Sequence, residues 1–452
     1  MRKLLVILTV MLLGAALAFA GQPDPVSDDM GDGLTMIEVT MEGYAGDFGT
    51  IEEIQANLNA TIEGGDLAAD ALMNTKWKLE YLTVLSDVLA EKGVAYTGLN
   101  WGWAEQLTQK QMNAFLAGTG PDVLVGETQM PGFAFNGYLL PFPDDLAAKV
   151  RSEIIPGAYG PMTVDGEIYG MATYPGVNVL FWNKDLLRQA GLDPEKAPET
   201  WDEWLEMCEQ ITAAGNGEFY GGGTYAGPNF GGSLRVGPFL MMAGGGFIDS
   251  NGDAAFNTPG NVEALSFMRE LATHSPPGAA AGASEGGWWD ALNQGKIAYV
   301  VDGPWRLAAG EALGMDIGYS VLPIPEGGSP ANVTIGAAFY GVPTYAENPD
   351  AAFAFIESLI DKRVQDLVIV NNNRPPVRAE YENDSDFMDS YMSTFFLALQ
   401  GDVSGLPTYK GDQNAKIWDV FHQHMTEAII TEGDIGEILD RAQELAIRYQ
   451  NE

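Results

Sequence analysis

The sequence predicts an α/β protein of mainly parallel sheets flanked by helices. Three observations carry that prediction. Short apolar or β-branched runs alternate with helical patterns along most of the chain, the order that folds into layered α/β units. Several helical patterns open on capping signals. The 452 residues, 46% of them apolar, suffice for the core of two or three domains.

Taken in order, the chain opens on an export signal. Arg2 and Lys3 are followed by an uncharged apolar run to Leu17 and by Ala18-Phe19-Ala20, a small-x-small cleavage pattern, so the mature chain is expected to begin at Gly21. No cysteine stands there to take a lipid, and no later segment is apolar enough to span a membrane. Strands are expected at residues 36–40, 94–99, 122–125, 177–181, 297–301, 317–322 and 335–342. Thr200-x-x-Glu203 is a capping box ahead of Trp201, Trp204, Leu205, Cys208 and Ile211 at helical spacing, which makes Cys208, the one cysteine, a small core residue. Thr258-Pro259 and Asn348-Pro349 start two further helices. Ile435, Ile438, Leu439, Ala442, Leu445, Ala446 and Tyr449 form the packing stripe of a C-terminal helix. The glycine- and proline-rich stretches 221–223, 244–246, 276–287 and 323–330 read as turns and connections.

Composition and failed motifs narrow the function. With 23 basic against 62 acidic residues the formal charge is −39, a field that repels nucleic acid and anionic membranes. Gly282-Ala283-Ser284-Glu285-Gly286 matches a hydrolase nucleophile elbow in letters, but a loop stands where that motif needs a strand. Gly221-Gly222-Gly223-Thr224-Tyr225-Ala226 lacks the helix that a dinucleotide loop needs, and no GxxxxGK[ST] occurs. His422 and His424 point their side chains about 200° apart on a helix and make a poor metal clamp. Asp249-x-Asn251-x-Asp253 lacks the glutamate of a calcium loop, has Gly260 in its place, and reads as a turn. Neither cofactor nor metal is expected.

An ordered series of segments is more specific. It comprises Ala117-Gly118-Thr119-Gly120-Pro121-Asp122-Val123, Gly137-Tyr138-Leu139-Leu140-Pro141, Phe181-Trp182-Asn183-Lys184-Asp185-Leu186-Leu187 and Pro198-Glu199-Thr200-Trp201-Asp202-Glu203. Gly245-Gly246-Phe247-Ile248-Asp249, Gln294-Gly295-Lys296-Ile297-Ala298-Tyr299, Gly303-Pro304-Trp305 and Asn348-Pro349-Asp350-Ala351-Ala352 continue it. Over residues 115–375 this series resembles the extracellular solute-binding proteins of the maltose-binding type, family 1. Two features depart from that family: an insertion between Thr40 and Val94, and Trp182 where tyrosine is usual.

The resemblance implies a two-lobed periplasmic-binding-protein-like fold, each lobe a mainly parallel sheet flanked by helices, hinged at chain crossovers. After a signal peptide at 1–20, the expected lobes are 21–174 plus 335–385 and 175–334 plus 386–452. A ligand sits in the cleft, the lobes close on it, and the permease of an ABC importer takes the closed form. The protein is then a periplasmic or extracellular monomer that captures a sugar or oligosaccharide and does no chemistry on it.

A sugar has apolar C–H faces and a rim of hydroxyls, so its site needs flat aromatic surfaces and convergent polar groups. The resemblance puts Trp305, on the turn after Gly303-Pro304, against a sugar ring, with core packing as the alternative. It puts Trp418 in a stacking role or in the core, Arg235 against ligand or in a salt bridge, and Tyr44 after the first strand, beside the insertion. Glu127 and Gln129 follow a strand end facing the cleft, where Glu127 reads equally as a solvated carboxylate. Tyr174 lies near the first crossover, Tyr340 ends a strand, and Trp101 and Trp103 are candidates for the rim. Rival readings are a binding protein for a polyamine or peptide, a sensor subunit that delivers nothing, and a secreted glycoside hydrolase, since 62 acids make carboxylate pairs unavoidable.

Overall fold

The computed structural model describes residues 33–40, 69–102, 104–127, 129–173, 175–282, 284–304, 306, 314–334, 338–371, 375–390, 392–409 and 413–452. The expected signal segment and most of the expected insertion lie outside these residues. Among the described residues no helix is long and apolar enough to cross a membrane.

The first half of the chain lays down β1 (Thr35–Thr40), α1 (Ala69–Glu91), β2 (Val94–Leu99), α2 (Ala104–Ala117), β3 (Leu124–Gly126), α3 (Met130–Phe135) and β4 (Met171–Ala172). The chain then crosses to a second body: β5 (Val179–Asn183), α4 (Lys184–Gln189), α5 (Trp201–Gly215), β6 (Tyr220–Gly223), α6 (Phe230–Met242), α7 (Pro259–Thr273), α8 (Glu285–Asn293), β7 (Ile297–Asp302) and β8 (Ile317–Ser320). After β9 (Ala331–Val333) it returns through β10 (Phe339–Gly341), α9 (Pro349–Leu359) and α10 (Lys362–Asn371). The chain runs on through α11 (Met392–Ala398) and β11 (Asp402–Ser404), and ends in the second body on α12 (Asn414–Ile430) and α13 (Ile435–Gln450).

The fold is the layered α/β arrangement that the sequence predicts, with a difference in strand direction. β1 and β2 pair in parallel, and a Val39–Val123 bridge carries the same direction to β3. β10 then enters between β3 and β4, antiparallel to both. The second sheet runs β8-β5-β7-β6, with β5 antiparallel to its two neighbours and β6 parallel to β7. The described sheets are therefore mixed. The reason lies in the crossovers: β5 and β10 each arrive from the other body, whereas a helical return within one body delivers a parallel strand. Two crossovers are tied to each other by asparagines. Asn332 Nδ2 donates to the Asn178 carbonyl at 2.8 Å, Asn178 N donates to Asn332 Oδ1 at 3.1 Å, and Asn178 Nδ2 donates to Leu234 O at 3.0 Å.

Capping follows the sequence in part. Thr200 Oγ1 accepts from Glu203 N, and Thr258 Oγ1 from Asn261 N. Asn348 makes no side-chain cap; its own N–H donates to Asp122 Oδ1. The glycines at 221–223, expected in a turn, form strand β6. A Cβ on Gly221 would stand 2.5 Å from Cys208 Cα on α5, and one on Gly222 would stand 2.2 Å from Tyr299 O on β7 at a φ of +101°. Only a strand without side chains fits between that helix and that neighbour. Cys208 is buried, as expected, and burial pushes its thiol pKa up. The stretch 276–287 also differs: Ser284 caps α8, its hydroxyl accepting from Gly287 N.

Candidate functional site

Strand β3 stops at Gly126 facing the second body, and the loop after it is pinned from beneath. Gln111 Nε2, from α2, donates to Val125 O at 2.7 Å. Gln129 Nε2 donates to Gln111 Oε1 at 3.1 Å, and Gln129 Oε1 accepts from Glu127 N at 3.1 Å. A cavity of about 800 Å³ opens above this loop. Its first-body wall is Thr108, Met112, Glu127, Gln129, Gly132, Phe133, Asn136 and Tyr138, and its second-body wall is Phe230, Leu406, Pro407, Thr408, Asn414 and Trp418. The bodies touch at its floor, where a Cβ on Gly132 would stand 2.7 Å from Thr408 Oγ1.

The structure brings Glu127, Gln129 and Trp418 together here. Their roles differ. Glu127 is half-buried on the wall, whereas both ends of the Gln129 amide are engaged in holding the loop. Trp418 is only 1% exposed: its ring packs against Phe230, Phe247, Tyr409 and Phe421, and its Nε1 donates to Pro407 O at 3.2 Å. The ring available to a ligand is Phe230 in front of it, 45% exposed. Sequence reasoning missed Phe230; its signal was an aromatic directly after the helix cap Asn229 and ahead of Gly231 and Gly232.

Two expected contacts lie elsewhere. Tyr340 sits in the core, its ring 6.2 Å from Phe355, because β10 is the middle strand of its sheet and is covered on both faces. Arg235 does not line the cavity. Its Nη2 donates to Asp302 Oδ1 at 2.9 Å, and Arg306 Nε donates to Asp302 Oδ2 at 2.8 Å. Asp302 also accepts from Gly303 N, so the network fixes the turn leading to Trp305. Trp305, Tyr44, Trp103 and Tyr174 lie outside the described residues. Trp101 packs, half-buried, against the cluster of Leu124, Met130 and Phe133.

Behind Phe230 and Trp418 lies His422, 3% exposed, with its ring stacked on Trp418 at 5.5 Å. Burial holds its pKa down at about 4, so it is neutral at pH 7. Between pH 4 and the unfolded value near 6.5, the unfolded chain takes up a proton that the folded chain refuses. The stability this group contributes is complete above pH 6.5 and is lost as pH falls toward 4. By pH 4.5, wild type should lose roughly 2–3 kcal/mol more than His422→Phe, measured by urea unfolding at pH 7 and 4.5; parallel losses in the two proteins would refute this.

A second cavity, of about 540 Å³, lies at the end of β7 opposite Asp302 and is lined by Asn183, Asp185, Glu218, Phe219, Lys296 and Asp316, among others. Its one aromatic ring is buried, so it offers no stacking face. Asp249 Oδ1 accepts from Asn251 N and Asp253 N, the turn expected there.

Comparison with known proteins agrees with this fold. Residues 95–366 match the family described as bacterial extracellular solute-binding proteins. A probable ABC transporter-binding protein of Deinococcus radiodurans is 25% identical over 326 residues, 70% of this chain and 76% of the relative. The galactooligosaccharide-binding protein of Bacillus subtilis is 24% identical over 361 residues, 76% of this chain and 80% of the relative. Among solved structures, the cyclic α-maltosyl-1,6-maltose binding protein of Arthrobacter globiformis shares the fold with a TM-score of 0.69 at 19% identity, covering 92% of this chain and 98% of its own.

Proposed function

The chain belongs to the bacterial extracellular solute-binding proteins, and on that premise we propose that it captures a saccharide between Glu127 and Phe230 and hands it to an ABC import permease. The observation that carries the reading is the composition of one cavity. An exposed aromatic ring, Phe230, faces a wall bearing Glu127, Asn136 and Tyr138, with Thr408 and Asn414 beside it. Apolar faces and hydroxyls of a sugar are matched by that pairing, whereas a polyamine would call for several carboxylates and this lining has one, Glu127. The galactooligosaccharide and lactose specificities in the names of relatives favour the same class. Trp305 is the proposed second stacking ring, on the turn held by Asp302. The lobes we propose are 21–174 plus 335–385 and 175–334 plus 386–452. Phe387 of the second meets Tyr381 of the first, their ring centroids 5.5 Å apart, and within the second α11 packs Phe395 against Phe181 and Tyr319.

Calorimetry with lactose, galactotriose, arabinotriose and maltotriose tests the reading. At least one should bind, and X-ray scattering on the same samples should show a smaller radius of gyration as the lobes close. Phe230→Ala should weaken binding about 5- to 150-fold and leave the unfolding midpoint nearly unchanged. Binding of spermidine or a peptide, with none of the four sugars, would replace this reading. The mature protein is proposed to be a secreted monomer starting at Gly21 without lipid; a retained Met1 in the mass spectrum of native protein would contradict that.

A further inference from the structure

We propose that His422 is a ligand contact held in reserve under Phe230, its Nε2 exchanging cover by that ring for a hydroxyl of the bound saccharide. The inference rests on the saccharide reading and adds a residue to it. His422 Nε2 is buried and has no hydrogen-bond partner. Protein interiors satisfy nearly all such atoms, and leaving one unsatisfied is expensive compared with an apolar side chain of similar shape. Phenylalanine at this position would fill the same aromatic stack without that penalty, so the imidazole calls for a use outside the ligand-free state.

Geometry supplies the use. His422 lies one helical turn beyond Trp418, which lines the cavity, and is therefore one layer behind its wall. What covers it is the Phe230 ring, edge-on at 4.8 Å and 80°. The two aromatic neighbours differ in freedom. Trp418 is enclosed and tied through Nε1 to Pro407 O, while Phe230 is 45% exposed at the first residue of its helix. A sugar ring settling on Phe230 turns the free partner, not the tied one, and uncovers Nε2. A neutral imidazole nitrogen donates or accepts according to its tautomer, and a sugar hydroxyl does both, so the pair matches in either form.

The test uses the mature full-length protein and whichever of lactose, galactotriose, arabinotriose or maltotriose binds wild type most tightly. His422→Phe should raise the urea midpoint of the sugar-free protein at pH 7 yet weaken binding roughly 10-fold. His422→Gln, which keeps a polar group, should recover part of that affinity. In wild type, the Nε2 resonance in the ¹⁵N spectrum, assigned by its loss in His422→Phe, should move on saturation with the sugar. Unchanged affinity in His422→Phe together with a stationary resonance would overturn the inference and leave the saccharide reading intact. Should His422→Phe fail to fold, His422→Gln supplies the assignment and the wild-type resonance decides. Wild type that binds none of the four sugars would remove both.

Discussion

Replacing Asp302 with alanine lowers the free energy of unfolding by about 3–5 kcal/mol. The carboxylate ends β7 with 1% of its side chain exposed, between Arg235 at 4% and Arg306 at 24%. Deleting it strands the Arg235 guanidinium in the interior, and stranding one member of a buried pair is far worse than never having had the pair. The double variant Asp302→Ala with Arg235→Met should therefore be more stable than the single. Guanidinium unfolding of both measures this, and a loss under 1 kcal/mol in the single variant would show that water reaches Arg235. Because Gly303 hangs from the same carboxylate, the folded fraction of Asp302→Ala should also bind saccharide less tightly if Trp305 stacks as proposed.

Trp418→Ala should match that loss, at about 3–5 kcal/mol, through a different cause. The indole fills the centre of an aromatic group comprising Phe230, Phe247, Tyr409, Phe421 and His422, so its removal leaves a cavity that five rings cannot close without leaving their own contacts. Binding should fall as well, since Phe230 loses its backing. The contrast with Phe230→Ala is diagnostic: one variant loses stability and affinity together, the other affinity alone. A Trp418→Ala protein that keeps its unfolding midpoint and loses only affinity would mean that the indole faces the ligand directly.

Much of this was legible in the sequence, for identifiable reasons. The strands at 36–40, 94–99 and 297–301 announce themselves by β-branched runs, and the structure finds them within a residue or so. The glycine strand β6 was hidden because its reason for being a strand is the backbone of Tyr299 and Cys208, far away in sequence. Strand direction was hidden for a similar reason, being fixed by which body each strand enters from. In the site, Glu127 and Gln129 were visible because a loop after a buried strand end faces the cleft. Phe230 was masked because Gly227, Gly231 and Gly232 around it carry no helical pattern. Arg235 stays open in the sequence between ligand and salt bridge because its partner lies 67 residues on, and pattern reading sees no such distance. His422 was weighed only as a metal ligand; its unsatisfied nitrogen exists only once Phe230 and Trp418 have packed.

The late arrival of β10 bears on when the chain can finish folding. The first sheet stops at β3 and β4 with a gap that only Phe339–Gly341 fills, about 170 residues after β4 along the ribosome's output. At bacterial elongation speeds that is a delay of roughly 10–35 s. Throughout that interval the amino-terminal half lacks the middle strand of its sheet. The discontinuous sheet thus sets an order of events: the first sheet closes only after most of the chain has been made.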